Sequence, residues 1–148
     1  MGIDSGSSYD NWNRQPPPNR AGSEIKWRET SEPYTRTAFK KYLVDTLGDY
    51  YFDLQGTLRI EQKIDGKRKE MPEIQGFEEM KVIYNENGTI MKWRGDDGLF
   101  NIGNPLRINR NSRIGILTDT RSGKESFFVR NTKTKGGKKI ETSYIFTS

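Results

Sequence analysis

Residues 113–148 read R-I-G-I-L-T-D-T-R-S-G-K-E-S-F-F-V-R-N-T-K-T-K-G-G-K-K-I-E-T-S-Y-I-F-T-S. Three runs in this stretch, at 114–118, 126–130 and 140–147, are rich in Ile, Phe, Val, Tyr and Thr, which favour strands. The intervening T-R-S-G and K-T-K-G-G-K segments supply glycine where a tight turn needs positive φ. The stretch therefore predicts a three-stranded antiparallel meander, and this meander decides the fold class.

Strand patterns also precede the meander. Further strand-like runs lie at 24–29, 57–64, 80–85, 89–94, 99–102 and 106–109. Asn87-Gly88, between two of these runs, is the strongest short hairpin signal. The segment 67–77 contains Pro72 and Gly76 and is interpreted as a loop. Since the connections are mostly short, neighbouring strands are expected to be antiparallel.

One amphipathic helix is predicted at residues 35–47. Its apolar face consists of Phe39, Tyr42, Leu43, Thr46, Leu47 and Tyr50. Thr35 or Thr37 caps the N-terminus, and Gly48 is placed to end the helix. The sequence therefore predicts a mainly β (α+β) protein. Its antiparallel β-meander forms a barrel or sandwich of about eight strands with one N-terminal amphipathic helix.

The N-terminal residues differ in composition from the rest. Residues 1–23 are dominated by Gly, Ser, Asn and Pro and contain Pro16-Pro17-Pro18, so they are interpreted as a flexible, disordered head. Residues 24–148 are predicted to form a single β-dominated globular domain. The apolar fraction is only 31%, but seventeen aromatic residues argue against wholesale disorder.

The absence of Cys and His removes several classes of chemistry. Disulfides, Cys/His zinc sites, thiol nucleophiles and His-dependent acid–base catalysis all require one of these residues. No apolar run approaches the roughly 20 residues that span a bilayer, and the polar N-terminus lacks a secretory signal. We therefore expect a soluble, cytoplasmic protein, with a nuclear location left open. No cofactor, metal ligand or catalytic residue is predicted.

Charge is distributed unevenly along the chain. The net charge is +5, but residues 104–148 carry ten Lys or Arg against three acids, whereas residues 1–103 carry fifteen against seventeen. The C-terminal third is therefore net +7 and the remainder net −2. Clustered cations bind phosphates because each contact releases condensed counterions, so this third is where a polyanion is expected to bind.

The sequence thus predicts a surface on the C-terminal strands that binds RNA or single-stranded DNA. Phe127 and Phe128 must point to opposite faces of their strand, so one of them faces solvent or covers a second layer. An exposed ring beside Arg130 would stack on unpaired bases. The predicted contact residues are Arg107, Arg110, Arg113, Arg121, Lys124, Phe128, Arg130, Lys133, Lys135, Lys138, Lys139 and Tyr144. The alternative is that both rings are buried and the cations only solubilise loops.

Two other functional classes are compatible with the same residues. A structural or assembly (matrix-like) protein would use the basic face on an anionic membrane or an acidic partner chain, and the strand edges would allow a homo-oligomer. A polar N-terminal segment followed by a basic β domain would suit a viral or mobile-element accessory protein.

Enzymatic and carrier functions have weaker support. A metal-free ribonuclease would need Glu125, Arg121, Arg130 and Tyr144 to converge on a phosphate. The pair Asp96-Asp97 is interpreted as part of a turn rather than as a metal site, because the alternating acids of a calcium loop are absent. A barrel could also carry a small apolar ligand, but few apolar residues remain to line a cavity.

Overall fold

The computed structural model describes residues 26–69, 73–100 and 105–148. The elements in chain order are β1 (Trp27–Pro33), α1 (Arg36–Leu47), a 3-10 turn (Tyr51–Asp53), β2 (Gln55–Ile64), β3 (Lys67–Arg68), β4 (Glu73–Asn85), β5 (Gly88–Arg94), β6 (Leu106–Ile108), β7 (Arg113–Asp119), β8 (Glu125–Lys135) and β9 (Lys138–Thr147). The predicted disordered head, 1–23, lies outside the described residues, as do residues 24–25 of the strand-like run 24–29, whose remainder overlaps the start of β1.

The strands form one sheet with the order β1-β7-β8-β9-β2-β4-β5-β6, and β3 pairs with β2 beside this path. The pairings of β2, β4, β5 and β7 with their neighbours are antiparallel. The predicted mainly β, antiparallel fold with one N-terminal helix is confirmed. In the described part of the chain the strand order ends at β1 and β6 and does not close.

The core lies on one face of this sheet, which we call the inner face. Ile108 of β6 and Ile114 of β7 belong to the same buried cluster, together with residues of β2, β4, β5, β8 and β9. Since these two strands are near opposite ends of the strand order, the sheet curls around the core in a barrel-like way, although its path stays open. Burial of this cluster supplies most of the apolar contribution to stability.

Helix α1 packs its apolar face against this inner face. The ring of Phe39 is fully buried and meets that of Phe127 on β8 edge-on, with the centroids 5.3 Å apart. The hydroxyl of Thr35 accepts a hydrogen bond from the amide of Ala38 at 3.1 Å, so the predicted N-cap is confirmed. Gly48 ends the helix with φ 86°, as expected. Tyr50 is 71% exposed, so its assignment to the buried face was wrong, because the helix ends before it.

Among the described residues, none forms a helix with the length and apolar character needed to cross a bilayer.

Two local predictions were also wrong. The segment 67–77 is not a loop, because β3 occupies its start and β4 begins at Glu73 and pairs with β2. Glu79, with φ 50°, marks a bulge that lets β4 continue to Asn85. The run 99–102 forms no strand in its described part: Phe100 makes only an isolated bridge with Arg94, and residues 101–102 lie outside the described residues.

The described residues fall into two compact units. The larger unit contains Glu29–Thr118 and Glu125–Ser148, and it holds the core, α1 and the sites discussed below. The smaller unit contains Asp119–Lys124 together with residues 26–28. Within it, the Asp119 carboxylate accepts a hydrogen bond from the amide of Arg121 at 2.8 Å, and this and the neighbouring amide bond lower the pKa of Asp119.

Candidate nucleic-acid interface

Two of the predicted cations hold strand β1 in place. The guanidinium of Arg130 donates to both carboxylate oxygens of Glu29, at 2.6 and 3.2 Å, and to the Ser143 hydroxyl at 3.2 Å. Arg113 donates to the hydroxyl and the carbonyl oxygen of Ser31, at 2.8 and 3.2 Å. The hydrogen bond from Arg130 is the main reason that the pKa of Glu29 is lowered. Arg130 and Arg113 therefore act within the protein.

Phe128 is not available for stacking on a base. It points away from the core, as the alternation with Phe127 requires, but its exposed fraction is 0%. The Arg130 guanidinium lies 5.0 Å from the centre of the Phe128 ring. Gly115 is the strand partner of Phe128, and β1 passes so close that a Cβ on Gly115 would overlap the carbonyl oxygen of Thr30. The prediction of an exposed stacking ring at Phe128 was therefore wrong, because β1 and Arg130 cover the outer face there.

Eight cations of the described chain gather where two hairpin turns meet. β9 pairs with β2 as far as Ile64, so the β8–β9 turn comes to lie beside the β2–β3 turn. The amide of Asp65 donates to the carbonyl oxygen of Lys139 at 2.8 Å, and the amide of Lys139 donates to the Asp65 carboxylate at 2.9 Å. This region, which we call the basic end, carries Lys63, Lys67, Arg68, Lys69, Lys133, Lys135, Lys138 and Lys139.

Few carboxylates offset these eight cations. Residues 63–69 and 133–141 contain only Asp65 and Glu141, so their net charge is +6. Within the described part of the chain, Arg68 reaches Glu61 at 3.5 Å and Lys139 reaches Glu141 at 4.0 Å, and no ion pair is found for the other six. Exposed pairs of this kind contribute little, so the basic end keeps its positive potential.

The remaining predicted cations do not belong to these two turns. Arg107 on β6 and Arg110 in the following turn are exposed. Arg121 and Lys124 belong to the smaller unit and are exposed there. The basic end thus gathers four of the ten predicted cations, Lys133, Lys135, Lys138 and Lys139, together with four that sequence reasoning missed. The signal for those four was present in the sequence as K-I-D-G-K-R-K at 63–69.

Tyr144 lies on the inner face, two residues from the buried Phe146. Burial raises the pKa of its hydroxyl, and the carboxylate of Glu73 adds to this rise, so Tyr144 remains a proton donor at neutral pH. Arg130 points to the outer face, since its strand neighbour Val129 is in the core. Tyr144 and Arg130 therefore lie on opposite sides of the sheet, so these two of the four residues suggested for a metal-free ribonuclease do not converge.

Tyr144 also lines a pocket of about 690 Å³ on the inner face, which we call the inner pocket. Its walls are formed by Ile60, Gln62, Glu73, Gln75, Trp93, Gly95, Asp97, Leu99, Phe100, Pro105, Leu106, Arg107, Asn131, Thr142 and Tyr144. The size is typical of a small-molecule site, but the lining is mostly polar. The interpretation as a carrier of an apolar ligand is therefore not favoured by this lining.

The two carboxylates in the turn after β5 accept hydrogen bonds from backbone amides. A carboxylate oxygen of Asp96 accepts from the amide of Gly76 at 3.0 Å, and one of Asp97 accepts from the amide of Leu99 at 2.9 Å. The described residues contain no group of three or more Asp or Glu side chains that could hold a metal ion. These contacts agree with the interpretation of this segment as a turn.

No family model, curated protein or solved structure matches this chain. Function must therefore be inferred from the residues themselves.

Proposed function

We propose that the protein binds single-stranded nucleic acid, RNA or single-stranded DNA, through the basic end. The observation that carries the proposal is the meeting of two hairpin turns that are distant in the sequence and together carry eight cations and two carboxylates. Lysines are flexible point charges, which suits the irregular phosphate path of an unpaired strand. We expect this binding inside the cell, in an accessory role of the kind found in viruses or mobile elements.

The composition of the basic end favours a nucleic acid over a membrane. The described large hydrophobic side chains that are well exposed are Val44, Tyr50, Phe52, Ile74, Ile83 and Leu99. None of them belongs to residues 63–69 or 133–141, where the apolar side chains Ile64 and Ile140 are half-buried, so the basic end has no well-exposed apolar side chain to insert between lipids. Contact there would be electrostatic, as in phosphate binding.

The proposal is tested by titrating the full chain with a labelled single-stranded oligonucleotide over a range of salt. Each phosphate contact to a single strand contributes about 0.7 to the slope of log affinity against log salt. Replacing Lys135 and Lys138 by Gln should therefore weaken binding and lower the slope by about 1.4. These two side chains are exposed and have no ion pair among the described residues, so the fold should be unaffected.

The control is the double variant Lys41→Gln and Lys92→Gln, which removes the same charge from α1 and β5 of the same unit, together with the exposed ion pair between Lys41 and Asp45. It should leave the slope nearly unchanged. Equal losses in both double variants, or affinity that does not weaken with salt, would contradict the proposal. A second experiment measures binding of the full chain to vesicles of anionic lipid. Binding to the vesicles without binding to RNA would favour the assembly protein instead.

A further inference from the structure

The inner pocket is followed by residues of the basic end along β8 and β9. Asn131, Thr142 and Gln62 form one row across β8, β9 and β2, and all three line the pocket. The next row on the same face contains Lys133 and Ile140, about 7 Å further along the strands. Lys133 therefore lies beside the pocket, at a distance similar to that between the base and the phosphate of one nucleotide. With Lys135 and Lys138, one row further along the same face, it forms a lip of lysine side chains.

Aromatic rings form part of the pocket wall. Trp93 and Tyr144 project from the inner faces of β5 and β9, and Phe100 borders the opening. Trp93 is already packed edge-on against Phe146, with the centroids 5.4 Å apart, which fixes its orientation. Because Trp93 is itself buried in the core, the half-buried rings of Tyr144 and Phe100 are the surfaces on which a nucleobase could stack.

The polar groups in the wall suit a ligand that both donates and accepts hydrogen bonds, since Arg107 and Tyr144 can donate to it. Glu73 and Asp97 accept only, since carboxylates have no proton to donate at neutral pH. Gln75 can accept or donate, and no hydrogen bond to its side chain is found among the described residues. The amide of Asn131 is already occupied, because it donates to the carbonyl oxygen of Arg107 at 3.0 Å and accepts from Ser112. Gln75, Glu73, the Tyr144 hydroxyl and the Arg107 guanidinium are therefore the groups left to recognise a ligand.

We infer that the inner pocket binds one unpaired nucleobase that carries an exocyclic amino group, while the lysines of the basic end hold the adjoining phosphate. The amino group of cytosine is the usual donor to a Glu or Asp carboxylate, whereas uracil presents a carbonyl oxygen at the same position. The carboxylates repel phosphate, so the base enters and the phosphate stays at the lip. This inference rests on the proposed function, because the same lysines serve both.

The test compares three oligonucleotides of equal length: oligocytidine, oligouridine and an abasic strand with the same number of phosphates. All three should bind with the same salt slope, because the phosphate contacts are shared. Oligocytidine should bind about tenfold more tightly than the abasic strand, the usual contribution of one stacked base. Cytidine monophosphate and uridine monophosphate, measured separately, show whether a free nucleotide is also accepted.

Variants separate the pocket from the lip. Replacing Gln75 by Leu should lower oligocytidine affinity by about threefold to fivefold, the scale of one hydrogen bond, without changing the salt slope. The matched control is Gln55→Leu, a strand position of β2 outside the pocket lining, which should have no effect. Thermal melts of both variants verify that the fold is kept.

The outcomes distinguish the two proposals. If oligocytidine and the abasic strand bind equally in a salt-dependent way, the pocket inference is overturned and the proposed function stands. If both ribo-oligomers bind equally and exceed the abasic strand, base binding is supported and the amino-group preference is overturned. If only cytidine monophosphate binds, the pocket inference is supported for a free nucleotide and the proposed function fails. If nothing binds, both are overturned.

Discussion

Asp65 and Lys139, 74 residues apart, bind one another through two hydrogen bonds. The amide of Asp65 donates to the carbonyl oxygen of Lys139, and its carboxylate accepts from the amide of Lys139, at 2.8 and 2.9 Å. Asp65 has a φ of 52°, in the left-handed region that Asp and Asn tolerate better than other non-glycine residues. The hydrogen bonds of Asp65 thus connect the two turns that carry the lysines of the basic end.

Replacing Asp65 by Asn should strengthen oligonucleotide binding. Asn keeps the acceptor oxygen and tolerates the same φ, while one of the two negative charges of the basic end disappears. We expect affinity to rise about twofold, corresponding to about 0.5 kcal/mol, the scale of an exposed charge interaction. Asp65→Ala is the control, since it removes the charge but also the acceptor, and it should lower the free energy of unfolding by about 1 kcal/mol. Weaker binding by the Asn variant at unchanged stability would argue against the basic end as the site.

Replacing Glu29 by Gln should reduce stability at neutral pH and have little effect in acid. Because Arg130 lowers the pKa of Glu29 in the folded state, this pair contributes stability above about pH 4.3, the unfolded value, and loses it as pH falls through the folded pKa. Half-exposed pairs contribute little, so we expect a loss of up to about 1 kcal/mol at neutral pH. Denaturant unfolding of both proteins at several pH values measures this difference.

The control for that experiment is Glu86→Gln, in the exposed turn between β4 and β5, which should not change stability. A difference between wild type and the Glu29 variant that grows as pH falls would contradict the sign given above.

Replacing Gly115 by Ala should displace β1. A Cβ at this position would overlap the backbone carbonyl oxygen of Thr30 and lie against the Cα and Cβ of Ser31. None of these atoms can move away by a side-chain rotation, so the backbone of β1 must shift. Overpacking of this kind typically costs about 1–3 kcal/mol. Gly95→Ala is the matched control, because its added Cβ would meet nothing closer than 3.7 Å. Amide hydrogen exchange should show faster exchange in β1 for the Gly115 variant only, and unchanged protection would refute the close approach.

Replacing Phe39 by Ala should destabilise the protein by about 3–5 kcal/mol, as for other buried aromatic residues. Phe39 is fully buried and meets the rings of Tyr34, Tyr84 and Phe127 edge-on. Val44→Ala, on the exposed side of the same helix, should change stability by less than about 0.5 kcal/mol. Denaturant titration followed by circular dichroism measures both, and similar losses would mean that α1 does not form part of the core.

Local features of the fold were predictable because they depend on near neighbours in the chain. The helix at 36–47 follows from its apolar spacing, its Thr35 cap and Gly48. The hairpin at Asn87-Gly88 follows from turn chemistry. The segment 67–77 was misread because Pro72 and Gly76 signal a break locally, while pairing with β2 imposes a strand at Glu73.

The sequence by itself determined the antiparallel β class, the capped helix and an excess of cations in the C-terminal third, since periodicity, turn residues and charge are properties of short stretches. Only the tertiary structure decided which cations are free. Pairing between β2 and β9 brings 63–69 beside 133–139, whereas β1 buries Phe128 and engages Arg130. Such contacts join residues far apart in the chain, and their partners are set by the packing of the whole sheet, which no local pattern records.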